Sequence, residues 1–510
     1  MAGADRGGLC GGHDGQVRHP SAPEADRARH HAGWKPVLAA LAALALSAPA
    51  LAQAGPSPAP DARTLALAAG WKASFLCSGL FVAGLDEATI AANDLEGAYA
   101  NLAPHIAGLP VRIDRVAKRV EVGAGGTAPA RVAQFVEGRG CVQLPIGAGL
   151  SQRPSGGGAG QVPMPPSLIG GPDLKAMDAR PWPQGDRVAT ATLPAAKRRA
   201  LDLVVADALA GPRFGADPRT SALLVIQDGR IVAERYARGI GMHTPQRTFS
   251  VAKSLASALI GRASALGVLD VLAPAHVPEW AIAGDPRAAI TIDQLLRMQS
   301  GLWTNGPGNR TDSLYFGGST VPETAGVAPL EVLPATRFNY ANNDTLLAAR
   351  ALDADLGEAA PAFPYTHLLW PIGMTRTTIE SDWQGNPVLS SQVWMTARDM
   401  ARLALLHLNN GVWNGERLLP EGWVKDATTP VGAQPDGRGY GRSIWLLGAS
   451  QGLPEGSYAF VGNRGQYAVV VPSLKLVVVR RGFDLPGKEF NFVALVQQVV
   501  AALEQGKPSR

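Results

Sequence analysis

At 510 residues, 46% hydrophobic and 17% charged, the chain is long enough for roughly two to four domains and too apolar for wholesale disorder. Its 59 glycines follow no triplet period, which excludes a collagen-like chain. The 47 basic and 42 acidic residues leave a net charge of +5, but the basic ones are scattered or in short runs such as Lys197-Arg198-Arg199, so nucleic acid is not an expected partner.

Residues 36–52 form an apolar run preceded by Arg27, Arg29 and Lys35 and closed by Ala50-Leu51-Ala52, the pattern of a secretory signal with a small-x-small cleavage site. The run is too short for a comfortable membrane span, and Pro49 suits a cleavage region better than a helix. Residues 1–52 are therefore expected to be leader and signal, with residues 1–34 suggesting an upstream start codon. The mature protein is expected to be periplasmic or secreted, with no stable span after cleavage. Removing Cys10 leaves Cys77 and Cys141, an even pair for which an oxidising compartment favours a disulfide; two free buried thiols are the alternative.

Residues 53–147 read as a small α+β module, with helical periodicity over 86–102 and alternation through Val111-Arg112-Ile113 and Val120-Glu121-Val122. Residues 148–180 are rich in Gly and Pro and read as a linker. The main domain follows over 181–510. It opens with a helix over 193–210 and a hairpin, 222–226 with 231–236, around Asp228-Gly229. Helices are expected over 291–298, 343–356 and 396–408, then a hairpin of 467–471 with 476–480 around Pro472-Ser473, and a last helix over 490–503. Strands at both ends and helices between them predict an α+β fold: an antiparallel sheet flanked by a helical region.

The sharpest chemical feature is Ser250-x-x-Lys253 at the start of a helical pattern, where positions i and i+3 share one face. A hydroxyl needs a neighbouring base to become a nucleophile, and a partly desolvated lysine gives up its proton readily enough to serve. The bland reading is a capped helix with a solvated lysine. Tyr-x-Asn occurs twice, at Tyr99 and at Tyr340-Ala341-Asn342; the second follows the serine in the helical middle and is the expected partner. Its phenol would relay a proton to the leaving group, with Lys253 lowering its pKa, while Asn342 would offer its amide to substrate or to Lys253. A third element, a strand edge donating a backbone N–H to an oxyanion, fits residues 461–466, which contain Asn463, Gly465 and Gln466.

In this order, from about Arg180 to the C-terminus, the chain resembles the serine β-lactamase-related hydrolases, which include class C β-lactamases, DD-peptidases, carboxylesterases and 6-aminohexanoate-dimer hydrolases, and is most similar to the last branch. The resemblance implies a β-lactamase/transpeptidase-like sheet with a helical subdomain, catalysis through an acyl-enzyme by Ser250, Lys253 and Tyr340, and oxyanion donors at the backbone N–H groups of Ser250 and Gln466. Where the β-lactamases carry Lys-Thr-Gly, this chain aligns Asn463-Arg464-Gly465, which removes the usual carboxylate-binding cation; Arg464 is a weak substitute because its spacing aims it at the opposite strand face.

Other readings are set aside. Ser450 lies in a Gly-x-Ser-x-Gly pattern, but Gly452, Pro454 and Gly456 preclude the helix that should follow. His243 reads as an exposed loop residue. No cluster has zinc spacing and no glycine-rich stretch sits in a nucleotide-binding context, so neither metal nor cofactor is expected. Trp303, Tyr315, Phe316 and Trp445 fit pocket lining and core equally. The expected activity is hydrolysis of a small 6-aminohexanoate-like amide, with a carboxylesterase as the nearest alternative and a non-catalytic envelope binding or sensor protein as the alternative of another class. Oligomeric state stays open.

Overall fold

The computed structural model describes residues 60–125, 129–148, 171–189, 193–304 and 311–504. The expected signal and most of the expected linker lie outside these residues. These described residues form one compact unit.

The N-terminal segment opens with α1 (Ala62–Phe81), capped by Asp61, whose carboxylate accepts from the Thr64 N–H. Sequence periodicity does not announce α1, because it is apolar on nearly every side. By length and composition it would also suit a membrane, but 72% of its most apolar window is buried in the protein. Its one buried cation, Lys72, donates to the carbonyls of Ile106, Ala107 and Leu109 at 3.2, 3.2 and 2.8 Å. The helix packs on an antiparallel meander of β1 (Val111–Asp114), β2 (Arg119–Val122), β3 (Arg131–Val136) and β4 (Gly140–Gln143). Cys77 on α1 and Cys141 on β4 are disulfide-bonded.

The helix expected over 86–102 is instead Glu87–Ile90 continued by a π-helical turn, Ala91–Leu95. The chain then breaks at Gly97, where a Cβ would overlap the Arg464 guanidinium.

Residues 60–147 share one hydrophobic core with the rest of the unit. Trp71 and Phe75 pack on Phe316, and Gly70 approaches the Phe316 carbonyl so closely that a Cβ would overlap it.

The central sheet is built from β5 (Thr220–Gln227), β6 (Arg230–Tyr236), β10 (Trp445–Leu446), β11 (Tyr458–Gly462), β12 (Gln466–Val471) and β13 (Leu476–Gly482), in the antiparallel order β10-β11-β12-β13-β5-β6. The β5–β6 turn places Asp228 and Gly229 at φ 50° and 73°, the left-handed pair that the Asp-Gly signal predicts. One face is covered by α2 (Ala195–Ala210) and α6 (Phe492–Glu504), the other by α5 (Ala397–Leu408) and the helical region. Because both faces are buried, β12 and β13 read as continuous apolar runs. A small sheet of β7 (Gln246–Arg247), β9 (Val393–Met395) and β8 (Thr378–Ile379) leads into α3 (Val251–Ala265), and α4 (Asn342–Leu356) packs beside it.

Candidate active site

The turn before α3 is fixed from several directions. Thr248 N–H donates to the Val393 carbonyl at 2.8 Å, extending the β7–β9 pairing. The buried Arg247 guanidinium lies 4.9–5.8 Å from the ring centres of Phe75, Phe249, Tyr315 and Phe316 and donates to Ser391 Oγ at 3.1 Å. Phe249 sits at φ 48°, a conformation that costs a non-glycine residue on the order of 1–3 kcal/mol and persists only where its surroundings enforce it. Ser250 follows at the helix start, half-buried, and its hydroxyl does not cap the helix.

Lys253 is 1% exposed. Its Nζ donates to Ser250 Oγ at 3.0 Å, to Asn342 Oδ1 at 2.6 Å and to the Ser390 carbonyl at 2.7 Å. A capped helix with a solvated lysine is therefore not what the chain builds. Burial without a carboxylate partner pushes the ammonium down to about 7, so near neutrality a large fraction is free base.

Tyr340 precedes α4. Ala341 is extended at φ −136° and ψ 135°, which sets residues 340 and 342 on one side of the chain. Met298 holds this segment, its carbonyl accepting from the Asn339 N–H at 2.9 Å. The Tyr340 phenol is near enough to Ser250 for that side chain to favour its ionised form, and its ring lies 5.2 Å from Lys253 Nζ, 5.9 Å from the Tyr440 ring and 5.6 Å from that of Trp445. Burial raises the Tyr340 pKa above its ordinary value, so the net shift is opposite to the lowering expected from Lys253. A phenol so shifted can donate a proton, and a deprotonated Lys253 can accept one. Asn342 Nδ2 donates to Thr311 Oγ1 at 3.2 Å. Tyr99 is half-buried and packs on Trp71 and Phe316.

At the strand edge, Gly462 is the residue that meets the nucleophile turn. A Cβ there would overlap the Thr248 carbonyl oxygen and lie 3.2 Å from Val251 N. Asn463 is exposed, its Oδ1 accepting from the Arg464 N–H at 2.9 Å. Gly465 faces Arg480 and Asp484 instead. Gln466 pairs with Gly462, and its buried side chain accepts from Arg481 Nε at 2.6 Å. Arg481 also donates to the Met395 and Gln246 carbonyls at 2.6 and 2.7 Å, tying this strand to the one before Ser250. Arg464 is 5% exposed and turned away from Ser250, donating to the Asn93 carbonyl at 2.6 Å.

Sequence reasoning missed Ser390, Thr311 and Arg481, and placed Gly462 in the strand edge without giving it a role. Ser390 acts through its carbonyl and leaves no side-chain signature; Gly462 could have been found as a glycine closing a strand beside the proposed oxyanion loop. Of the aromatics left open, Trp445 lies at the site, Tyr315 and Phe316 are core, and Trp303 is exposed. Ser450 sits in a single 3-10 turn, Ala449–Gln451, ended by Gly452. His243 is exposed and bonds Asp186 at 2.8 Å. With Asp178 these residues could group around a metal, but Arg376 already binds Asp178 at 2.6 and 2.7 Å and Arg402 binds Asp186 at 2.7 Å, the pattern of an ion-pair network.

The Beta-lactamase family model matches residues 214–480, just over half of the chain. A 6-aminohexanoate-dimer hydrolase from Paenarthrobacter ureafaciens is 27% identical over 288 residues, covering 51% of this chain and 72% of that protein. Two solved structures share the fold. A provisionally assigned 6-aminohexanoate-dimer hydrolase from Bacillus anthracis has a TM-score of 0.52 at 22% identity, covering 62% of this chain and 87% of its own. A provisionally assigned β-lactamase from Bacteroides dorei has 0.50 at 19%, covering 60% and 98%. With the family model spanning the segment that holds Ser250, Lys253 and Tyr340, the chain belongs to the Beta-lactamase family and is a serine hydrolase.

Proposed function

We propose that Ser250 attacks the carbonyl of a small linear amide resembling a 6-aminohexanoate oligomer, and that the enzyme works outside the cytoplasm. The observation that carries this is the buried Lys253 ammonium, bonded to Ser250 Oγ and poised near 7. As Oγ adds to the carbonyl carbon, its proton passes to neutral Lys253. The oxyanion accepts from the Ser250 backbone N–H and from the strand edge at Gly462–Gln466. Tyr340 gives its proton to the departing nitrogen, the C–N bond breaks, and the Lys253 proton restores the phenol. Water then attacks the ester, returning Ser250 and releasing the acid. The named substrate of the Paenarthrobacter relative supports the amide, and the Cys77–Cys141 bond supports an oxidising compartment.

The test is a substrate panel: aminohexanoate dimer, a nitrophenyl ester and a chromogenic cephalosporin. Dimer turnover is expected, with slow or no cephalosporin cleavage because Arg464 is turned away. Ester turnover without dimer turnover would replace the amidase reading by an esterase. Tyr340→Phe should lower kcat on the dimer by about 100-fold or more and cost less on the nitrophenyl ester, whose leaving group needs no proton.

A further inference from the structure

The turn between β11 and β12, Asn463-Arg464-Gly465, lies within the strand edge assigned to the oxyanion. Arg464 and Gly465 both stand in the left-handed region, at φ 57° and 81°. A residue with a side chain keeps that conformation only where its surroundings enforce it.

For Arg464 the surroundings are the N-terminal segment and the end of β13. Its guanidinium enters the π-helical turn Ala91–Leu95 and donates to the Asn93 and Asp94 carbonyls at 2.6 and 3.3 Å. It also donates to the Phe483 and Asp484 carbonyls at 3.4 and 3.3 Å, just past β13. The buried Asp94 carboxylate lies 4.0 Å away. Carbonyls at a helix end carry partial negative charge, which favours a cation there. Gly97 leaves the room, since a Cβ at that position would overlap the guanidinium. The Arg464 carbonyl in turn accepts from the Asp484 N–H at 3.2 Å and from Gln466 Nε2 at 3.0 Å. Side chain and backbone of one residue thus join residues 91–97, 463–466 and 483–484.

We infer that Arg464 is a positioning residue, through which the N-terminal segment holds the β11–β12 turn in the geometry that stabilises the oxyanion. The inference rests on the reading of Gly462–Gln466 as the oxyanion edge. Donors aimed at a developing charge work only while they are held in place, and a displacement of about 1 Å can cost about 100-fold in rate. Residues 60–147, which precede the family-matched segment, thereby take part in the reaction without supplying a reacting group.

The test uses the full chain with Arg464→Met and, separately, with Gly97→Ala, whose added methyl displaces the guanidinium without altering the turn itself. Nitrophenyl ester turnover is measured per Ser250 titrated with a fluorophosphonate, because the ester's leaving group needs no proton from Tyr340. Inhibition by phenylboronic acid, which forms a tetrahedral adduct on a serine, is measured beside it. Both variants are expected to lose about tenfold or more in kcat with KM within about twofold, and to bind the boronate more weakly by the factor that kcat/KM falls. A merely structural role would reduce the number of titratable sites and leave the rate per site and the boronate affinity at wild-type values. That result in Arg464→Met, or in Gly97→Ala if the first variant does not fold, would overturn the inference. A wild type that turns over the ester but is not inhibited by phenylboronic acid would instead overturn the oxyanion reading beneath it.

Discussion

Replacing Lys253 by methionine should cut acylation of Ser250 by at least about a thousandfold while leaving the protein more stable at neutral and acidic pH. The first effect follows from removing the base that bonds the serine at 3.0 Å. The second follows from linkage. In the unfolded chain Lys253 keeps its proton up to about 10.5; folded, it releases it near 7. Between those values the unfolded state binds more protons, so stability climbs with pH across that window. Below pH 7 the fold carries the full cost of a buried ammonium, on the order of a few kcal/mol. Methionine removes that cost and keeps the volume, though it leaves Asn342 Oδ1 and the Ser390 carbonyl without their donor. Denaturant titrations of both proteins from pH 6 to 10 should show the variant's advantage shrinking as pH rises. A constant gap would mean that Lys253 is not desolvated as described. In the wild type, kcat/KM should rise through about pH 7 as the ammonium deprotonates.

Removing the disulfide should be the largest single loss of stability. Cys77 and Cys141 are 64 residues apart, so the bond closes a long loop of the unfolded chain, and its loss should cost about 2–5 kcal/mol. The consequence reaches beyond α1. Ser78 Oγ donates to Glu380 at 2.6 Å and the Cys141 N–H donates to the same carboxyl at 3.2 Å, so the bonded pair is wired to the strand system that carries Ser390 and Ser391. Chemical denaturation of a Cys77→Ser, Cys141→Ser double variant, compared with wild type under oxidising conditions, measures the loss. A change below about 0.5 kcal/mol would show that the shared core alone holds the N-terminal segment.

Much of the fold was legible because its signals are local. Asp228-Gly229 demands a left-handed turn, and Thr291 with Gln294 forms the capping box that starts the helix Ile292–Leu296. The candidate site was legible where side-chain chemistry marks it, at Ser250, Lys253, Tyr340 and Asn342. What was not legible comes from distance. The Ser390 carbonyl reaches Lys253 across 137 residues of chain. Arg481 acts on three backbone carbonyls that no motif predicts. Helix α1 escaped notice because being buried on nearly all sides erases the periodicity that announces an amphipathic helix. Its burial by Phe316 also explains why residues 60–147, read from sequence as a module of their own, share a core with the rest.

The most direct test of the account is intact-mass analysis of residues 53–510 after exposure to a fluorophosphonate, beside Ser250→Ala. One adduct on the wild type, mapped to Ser250 and absent from the variant, is the predicted result. A folded wild type that takes no adduct, or a variant that is still labelled, would contradict the assignment of Ser250 as the nucleophile.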